Sequence, residues 1–188
     1  MPRPIRLEYK NAFYHLMNLE RGRQTIFPAE QFYQIFQKTL QEVHDRFGLE
    51  IHAFCLMSNH YHLLVKTPNV NLSCCMRHIN GLFTQRHNRL KRIDGPLFRG
   101  RYRAILVDKD NYFLRVTRYI HRNPLETRTP IVKRLVDYPW SSYASYINQA
   151  PIQNRLYKTE TFELLGGGDK RYQHYVEDHA NDLEVTEF

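Results

Sequence analysis

Apolar and polar residues change period several times along the chain, and each change marks an element. Residues 11–19 (Asn-Ala-Phe-Tyr-His-Leu-Met-Asn-Leu) suit a pleated, half-buried surface and predict a first strand. From Pro28 to Phe47 the apolar positions Phe32, Ile35, Phe36, Leu40, Val43 and Phe47 recur at helical spacing, and Gly48 is placed to end that helix. Ile51–Met57 predicts a strand, Ser58-Asn59 a turn, and His60–Lys66 its antiparallel neighbour. Leu72–Leu90 carries a helical stripe of Leu72, Cys75, Met76, Ile79 and Phe83; Gly95-Pro96 breaks it, and Tyr102–Val107 returns as a strand. Asp108 or Asp110 can cap a helix from Tyr112 to Arg122, which Pro124 ends by disfavouring helical backbone at Asn123. Trp140-Ser-Ser-Tyr143 opens a short aromatic segment, and Gly166-Gly167-Gly168 separates two short helical patterns. Antiparallel strands interrupted by helices predict an α+β fold, one antiparallel sheet with helices packed on at least one face.

Composition narrows the classes. A chain of 188 residues suits one domain with a core of ordinary size. No run approaches the eighteen or so apolar residues of a membrane helix, and no apolar signal stretch follows the basic Met1-Pro2-Arg3-Pro4-Ile5-Arg6, so the expectation is a cytoplasmic protein with no membrane partner. Cys55, Cys74 and Cys75 have no metal-type spacing and are expected to be reduced packing residues.

Charge changes the picture more. The formal net charge is +8, yet residues 160–188 hold eight acidic side chains against Lys170 and Arg171. Residues 1–159 therefore carry 25 basic and 11 acidic side chains, a net of +14. The densest stretch runs from Arg77 to Arg103, where Arg77, Arg86, Arg89, Lys91, Arg92, Arg99, Arg101 and Arg103 meet only Asp94 and are interleaved with Phe83, Phe98 and Tyr102. Cations attract phosphates and rings can stack on bases, so nucleic acid is the favoured partner; a solvated basic face is the plain alternative.

Two pairs carry candidate chemistry. His60 and His62 stand two apart on a predicted strand, so both imidazoles leave the same face and could share one metal, although two ligands leave a site incomplete. Tyr119 and Asn123 stand four apart on a predicted helix, one turn from each other on one face. An amide oxygen from Asn123 could complete a three-ligand site, and a phenol beside it could attack a phosphate. Equally, Tyr119 could pack on the sheet while Asn123 closes the helix before Pro124. His52 could approach this site or serve structure, and His78, His87 and His121 are expected among basic residues at a DNA surface or in solvent.

Four separated motifs then carry a resemblance. His52-Ala-Phe-Cys-Leu-Met-Ser-Asn-His60-Tyr-His62-Leu-Leu-Val resembles the His-hydrophobic-His segment of the single-tyrosine HUH transposases. So, in order, do Pro96-Leu-Phe-Arg-Gly-Arg-Tyr-Arg-Ala104-Ile-Leu-Val-Asp, Arg118-Tyr119-Ile-His-Arg-Asn123-Pro124 and Asp137-Tyr-Pro-Trp-Ser-Ser-Tyr143. The Arg3–Tyr9 run, and asparagine rather than glutamine four residues after the tyrosine, resemble the REP-associated branch. The resemblance spans residues 1–147 and leaves 148–188 as an acidic C-terminal tail with short helices. It implies a ferredoxin-like HUH nuclease sandwich, Tyr119 as nucleophile, and His60, His62 and Asn123 as ligands of a divalent ion, Mg²⁺ or Mn²⁺. It further implies cleavage and rejoining of single-stranded or hairpin DNA through a 5′-phosphotyrosine, by a monomer or a homodimer. Arg77, Arg86, Arg99, Arg101, Arg103, Arg115 and Arg118 are the expected DNA contacts. A non-catalytic nucleic-acid-binding regulator on the same scaffold is the alternative.

Overall fold

The computed structural model describes residues 8–19, 25–108, 111–151 and 155–178. The Arg3–Tyr9 run and the Asp110 cap lie in whole or part outside those residues. The elements run β1 (Ala12–Leu19), α1 (Glu30–Phe47), β2 (Glu50–Met57), β3 (His60–Thr67), α2 (Leu72–Lys91), β4 (Arg103–Val107) and α3 (Asn111–Arg122). A 3₁₀ turn at Leu135–Asp137 and short helices α4 (Tyr143–Tyr146), α5 (Thr159–Leu165) and α6 (Asp169–Glu177) follow. Gly48 closes α1 in the left-handed conformation (φ 70°), donating its N–H to His44 O.

The sheet is antiparallel throughout, in the order β2-β3-β1-β4. With helices after β1 and β3, this is the split βαβ arrangement of ferredoxin-like folds. Both faces are covered. Tyr14, Leu16, Phe54, Leu56, Tyr61, Leu63 and Val65 point towards α1 and α2, meeting Phe36, Leu40, Met76, Ile79 and Phe83. Phe13, Ala53, Cys55, Met57, Leu64 and Val107 point to the other face, where Phe113, Val116 and Ile120 of α3 meet them. Double coverage explains why β2 is buried from Ile51 to Met57 without a polar face. Tyr61 and Leu63 are packing residues as expected, with the Tyr61 hydroxyl donating to Asn80 Oδ1 at 2.8 Å.

A third apolar cluster joins Leu135, Tyr143, Tyr146, Ile147, Leu156, Tyr172 and Val176, so it crosses residue 147 and includes α6. From it α6 grips α3: the Tyr172 hydroxyl bonds His121 Nδ1 at 2.5 Å, and Arg122 Nη1 donates to Val176 O at 2.7 Å. His121 also meets Ser142 Oγ through Nε2 at 2.6 Å and is fully buried. His87 is buried too, its ring against Phe32 and Phe83. Neither histidine is at the surface position expected of it, because each lies on the core side of its helix. Cys55 and Cys75 are buried free thiols, whereas Cys74 is exposed.

Candidate active site

The middle of the α3 face of the sheet is apolar, and at one end of it β1 and β3 present histidines. Cross-strand pairing places Met17 opposite His62 and His15 opposite Leu64, which makes His15 and His62 diagonal neighbours on one face. His15 Nε2 lies 3.0 Å from His62 Nδ1, and both residues are buried. His60, two residues back on the same face, has its ring centroid 5.0 Å from that of His62, and its Nδ1 lies 2.8 Å from Asn59 Oδ1.

Helix α3 brings the other pair to the same place. Phe113, Val116 and Ile120 pin the helix to the sheet, and Tyr119 flanks this stripe. The Tyr119 ring meets His62 edge-on at 5.4 Å between centroids and His15 at 6.0 Å. One turn on, the Asn123 side chain adjoins His60. Asn123 is 9% exposed, and its Oδ1 is buried without a hydrogen bond of good geometry. Burying an amide oxygen unpaired costs about 1–3 kcal/mol, so a further electropositive partner belongs there.

Electrostatics favours neutral rings. Burial lowers the His15 pKa to about 4. Burial, then the neighbouring His15 and His60, hold His62 well below the ordinary imidazole range. His60 is lowered by burial and partly restored by the Asn123 amide. All three keep lone pairs at neutral pH. With Nδ1 of His60 and of His62 already hydrogen-bonded, Nε2 is the nitrogen each has left. Two imidazole Nε2 atoms and an unpartnered amide oxygen form a donor set that suits a divalent ion.

A second cluster lies at the opposite end of this face. His52, the extra residue of a β-bulge in β2, has Nε2 3.8 Å from Glu50 Oε2 and Nδ1 3.6 Å from Glu160 Oε2. The three side chains have the reach to hold a divalent ion. Lys66 already stands among them, 3.1 Å from Glu50 and 3.9 Å from Glu160, so an ion would have to displace an ammonium. Lys66 is four residues past His62, roughly 13 Å along the strand, so His52 does not join the tyrosine site.

The basic residues divide. Arg77, Arg99, Arg101, Arg103 and Arg115 are exposed. Arg103 pairs with Met17, which pairs with His62, so these three form one row across the sheet with side chains on one face. Two strand spacings separate the ends of that row, about 10 Å. Arg99 N–H bonds Leu19 O, and Leu19 faces His60, so the whole Arg99–Arg103 stretch sits at the histidine end. The strand begins only at Arg103, leaving Arg99 and Arg101 on the loop before it.

Arg86 and Arg118 are placed otherwise. Arg86 donates to Thr39 Oγ1 and Glu42 Oε1, each at 2.9 Å, tying α2 to α1. Arg118 is 4% exposed with its guanidinium 5.2 Å above the Tyr175 ring. Charge density in the sequence counted both as open cations; packing buries Arg118 and commits Arg86 to α1. Two site residues escaped the sequence reading, His15 and Asn59. Their only signals were a histidine inside the otherwise apolar β1 and an asparagine directly before the His60-Tyr61-His62 run.

Among the described residues no helix is long and apolar enough to cross a membrane. Comparison with known structures gives a REP-associated tyrosine transposase, solved bound to a REP hairpin, at TM-score 0.69 and 19% identity over 84% of this chain and 92% of that one. A putative transposase from Deinococcus radiodurans superposes at TM-score 0.44 and 19% identity over 57% of this chain and 87% of that one. No curated protein matches by sequence. The family model described as "Transposase IS200 like" matches residues 8–123, a stretch that holds β1 through α3 and every residue of the histidine–tyrosine site, and the chain therefore belongs to the IS200-like transposase family.

Proposed function

We propose that this chain is a metal-dependent single-stranded DNA endonuclease and strand transferase of the REP-associated kind, acting on hairpin-bearing repeat DNA. The observation that carries the reading is the meeting of His60, His62, Tyr119 and Asn123 at one end of the sheet, with Asn123 Oδ1 buried and unpartnered. All four lie within residues 1–147. The fold likeness to a transposase solved on a REP hairpin supports hairpin DNA as the partner.

His60 Nε2, His62 Nε2 and Asn123 Oδ1 would hold the ion, Mg²⁺ or Mn²⁺. Bound there, a divalent ion supplies positive charge against the scissile phosphate and makes its phosphorus more electrophilic. The protein does the rest. The His62 and His15 rings brace the Tyr119 ring in T-shaped contacts. Exposed Arg115 lies one turn back on α3 and would add positive charge on the Tyr119 side of the helix. The Tyr119 hydroxyl gives up its proton to solvent, its oxygen bonds to phosphorus, the bond to the 3′-oxygen breaks, and that oxygen leaves as a 3′-hydroxyl with a proton from solvent. The product is a 5′-phosphotyrosine, and attack by another 3′-hydroxyl reverses the step, so strands rejoin without ATP. Arg99, Arg101 and Arg103, at the same sheet end, would hold the DNA backbone.

The test is a labelled hairpin oligonucleotide with Mn²⁺, scored for a covalent protein–DNA band. Wild type forms the band, Tyr119→Phe does not, and His60→Ala loses cleavage while keeping hairpin binding. A band that survives in Tyr119→Phe removes the nucleophile assignment. Tight binding by wild type with no band on any hairpin supports the non-catalytic regulator instead.

A further inference from the structure

A histidine that binds a metal through one ring nitrogen must carry its proton on the other, and a hydrogen-bond acceptor beside that proton fixes both tautomer and ring angle. The proposed site contains such an acceptor for each of its two histidines. Asn59 Oδ1, which can only accept, faces His60 Nδ1 at 2.8 Å. His15 Nε2 faces His62 Nδ1 at 3.0 Å. His15 is 1% exposed, on a strand face otherwise filled by Phe13 and Met17, so a polar side chain there requires a specific partner. Its Nδ1 is buried without a partner whichever ring donates, so His15's own surroundings do not choose between the two proton arrangements.

We infer that His15 and Asn59 are positioning residues that hold His62 and His60 as Nδ1–H tautomers, aiming both Nε2 lone pairs at a common divalent ion. The inference rests on the metal reading above. In it His62 donates from Nδ1, His15 accepts at Nε2, and the proton of His15 sits on Nδ1. The opposite arrangement would place a proton on His62 Nε2 and disqualify that ring as a ligand. His15 also meets the Tyr119 ring in a T-shaped contact at 6.0 Å between centroids, so a single buried imidazole sets the angles of a ligand and of the proposed nucleophile.

Two measurements on the intact chain decide it. Long-range proton–nitrogen NMR of the wild type shows His60 and His62 protonated on Nδ1; an Nε2–H signal from His62 overturns the inference without any variant. Calorimetry with Mn²⁺ then compares His15→Phe, which keeps the ring and removes the acceptor, with His15→Gln, whose amide oxygen restores one. His15→Phe weakens Mn²⁺ binding about 10- to 100-fold, His15→Gln recovers most of it, and hairpin binding in metal-free buffer stays at the wild-type level in both. Wild-type Mn²⁺ affinity in His15→Phe, with affinity lost in His62→Ala, refutes the positioning role alone. Equal loss in His15→Phe and His15→Gln makes His15 a ligand instead of a positioner. Undiminished affinity in His62→Ala brings down the metal reading and this inference together.

Discussion

Tyr172→Phe removes one oxygen from a place where nothing can replace it. The Tyr172 hydroxyl and His121 are both fully buried, and the bond between them, 2.5 Å long, joins α6 to the helix that carries Tyr119. Phenylalanine keeps the ring contacts to His121 at 5.7 Å and to Tyr146 at 4.6 Å, so no cavity of consequence opens. The loss is the net hydrogen bond plus the cost of leaving His121 Nδ1 unpaired in the core, together about 1–3 kcal/mol. Urea unfolding followed by circular dichroism should show the midpoint falling with an unchanged slope. A second arm isolates the bond: with His121→Gln as partner, the double-mutant cycle should return a coupling of about 0.5–3 kcal/mol. A destabilisation within roughly 0.3 kcal/mol of zero together with no coupling would refute the grip of α6 on α3.

Other outcomes follow from the same geometry. Burial lowers the His121 pKa to about 3, so below pH 6.5 the unfolded chain takes up a proton that the folded chain refuses. This term makes stability fall as pH drops from about 6.5 towards 3, by at most about 1.4 kcal/mol per unit for this one group; urea midpoints that stay flat between pH 6.5 and 5 would contradict it. Arg86→Ala breaks a partly exposed contact to Glu42 and Thr39, so it should cost about 1 kcal/mol of stability and leave hairpin affinity near wild type. Arg99→Ala or Arg101→Ala should instead weaken hairpin binding and lower its salt dependence by about one unit of slope each, which filter binding across a salt series would measure. Deleting residues 148–178 and onward removes Leu156, Tyr172 and Val176 from a shared cluster, so thermal unfolding of the shortened chain should come at lower temperature.

Local periodicity determined a good deal. Alternation along β3 put His60 and His62 on one face, and the helical turn did the same for Tyr119 and Asn123, because both relations depend only on chain geometry within one element. Gly48 and Pro124 marked the ends of their helices for equally local reasons. That the two pairs meet is a different kind of fact. Both faces of the sheet are covered, so β2 and much of β3 lack polar alternation and their hydropathy does not say which face α3 will take. His15 reaches His62 only through the β1–β3 register, a pairing between residues 47 positions apart. Charge counting found the basic end of the sheet but could not see that Arg86 is tied to Glu42, Arg118 laid on Tyr175, or His121 enclosed by Tyr172 and Ser142. A residue type states what a side chain is able to do. Its partners, and therefore what it does here, come from long-range contacts that only the folded chain brings together.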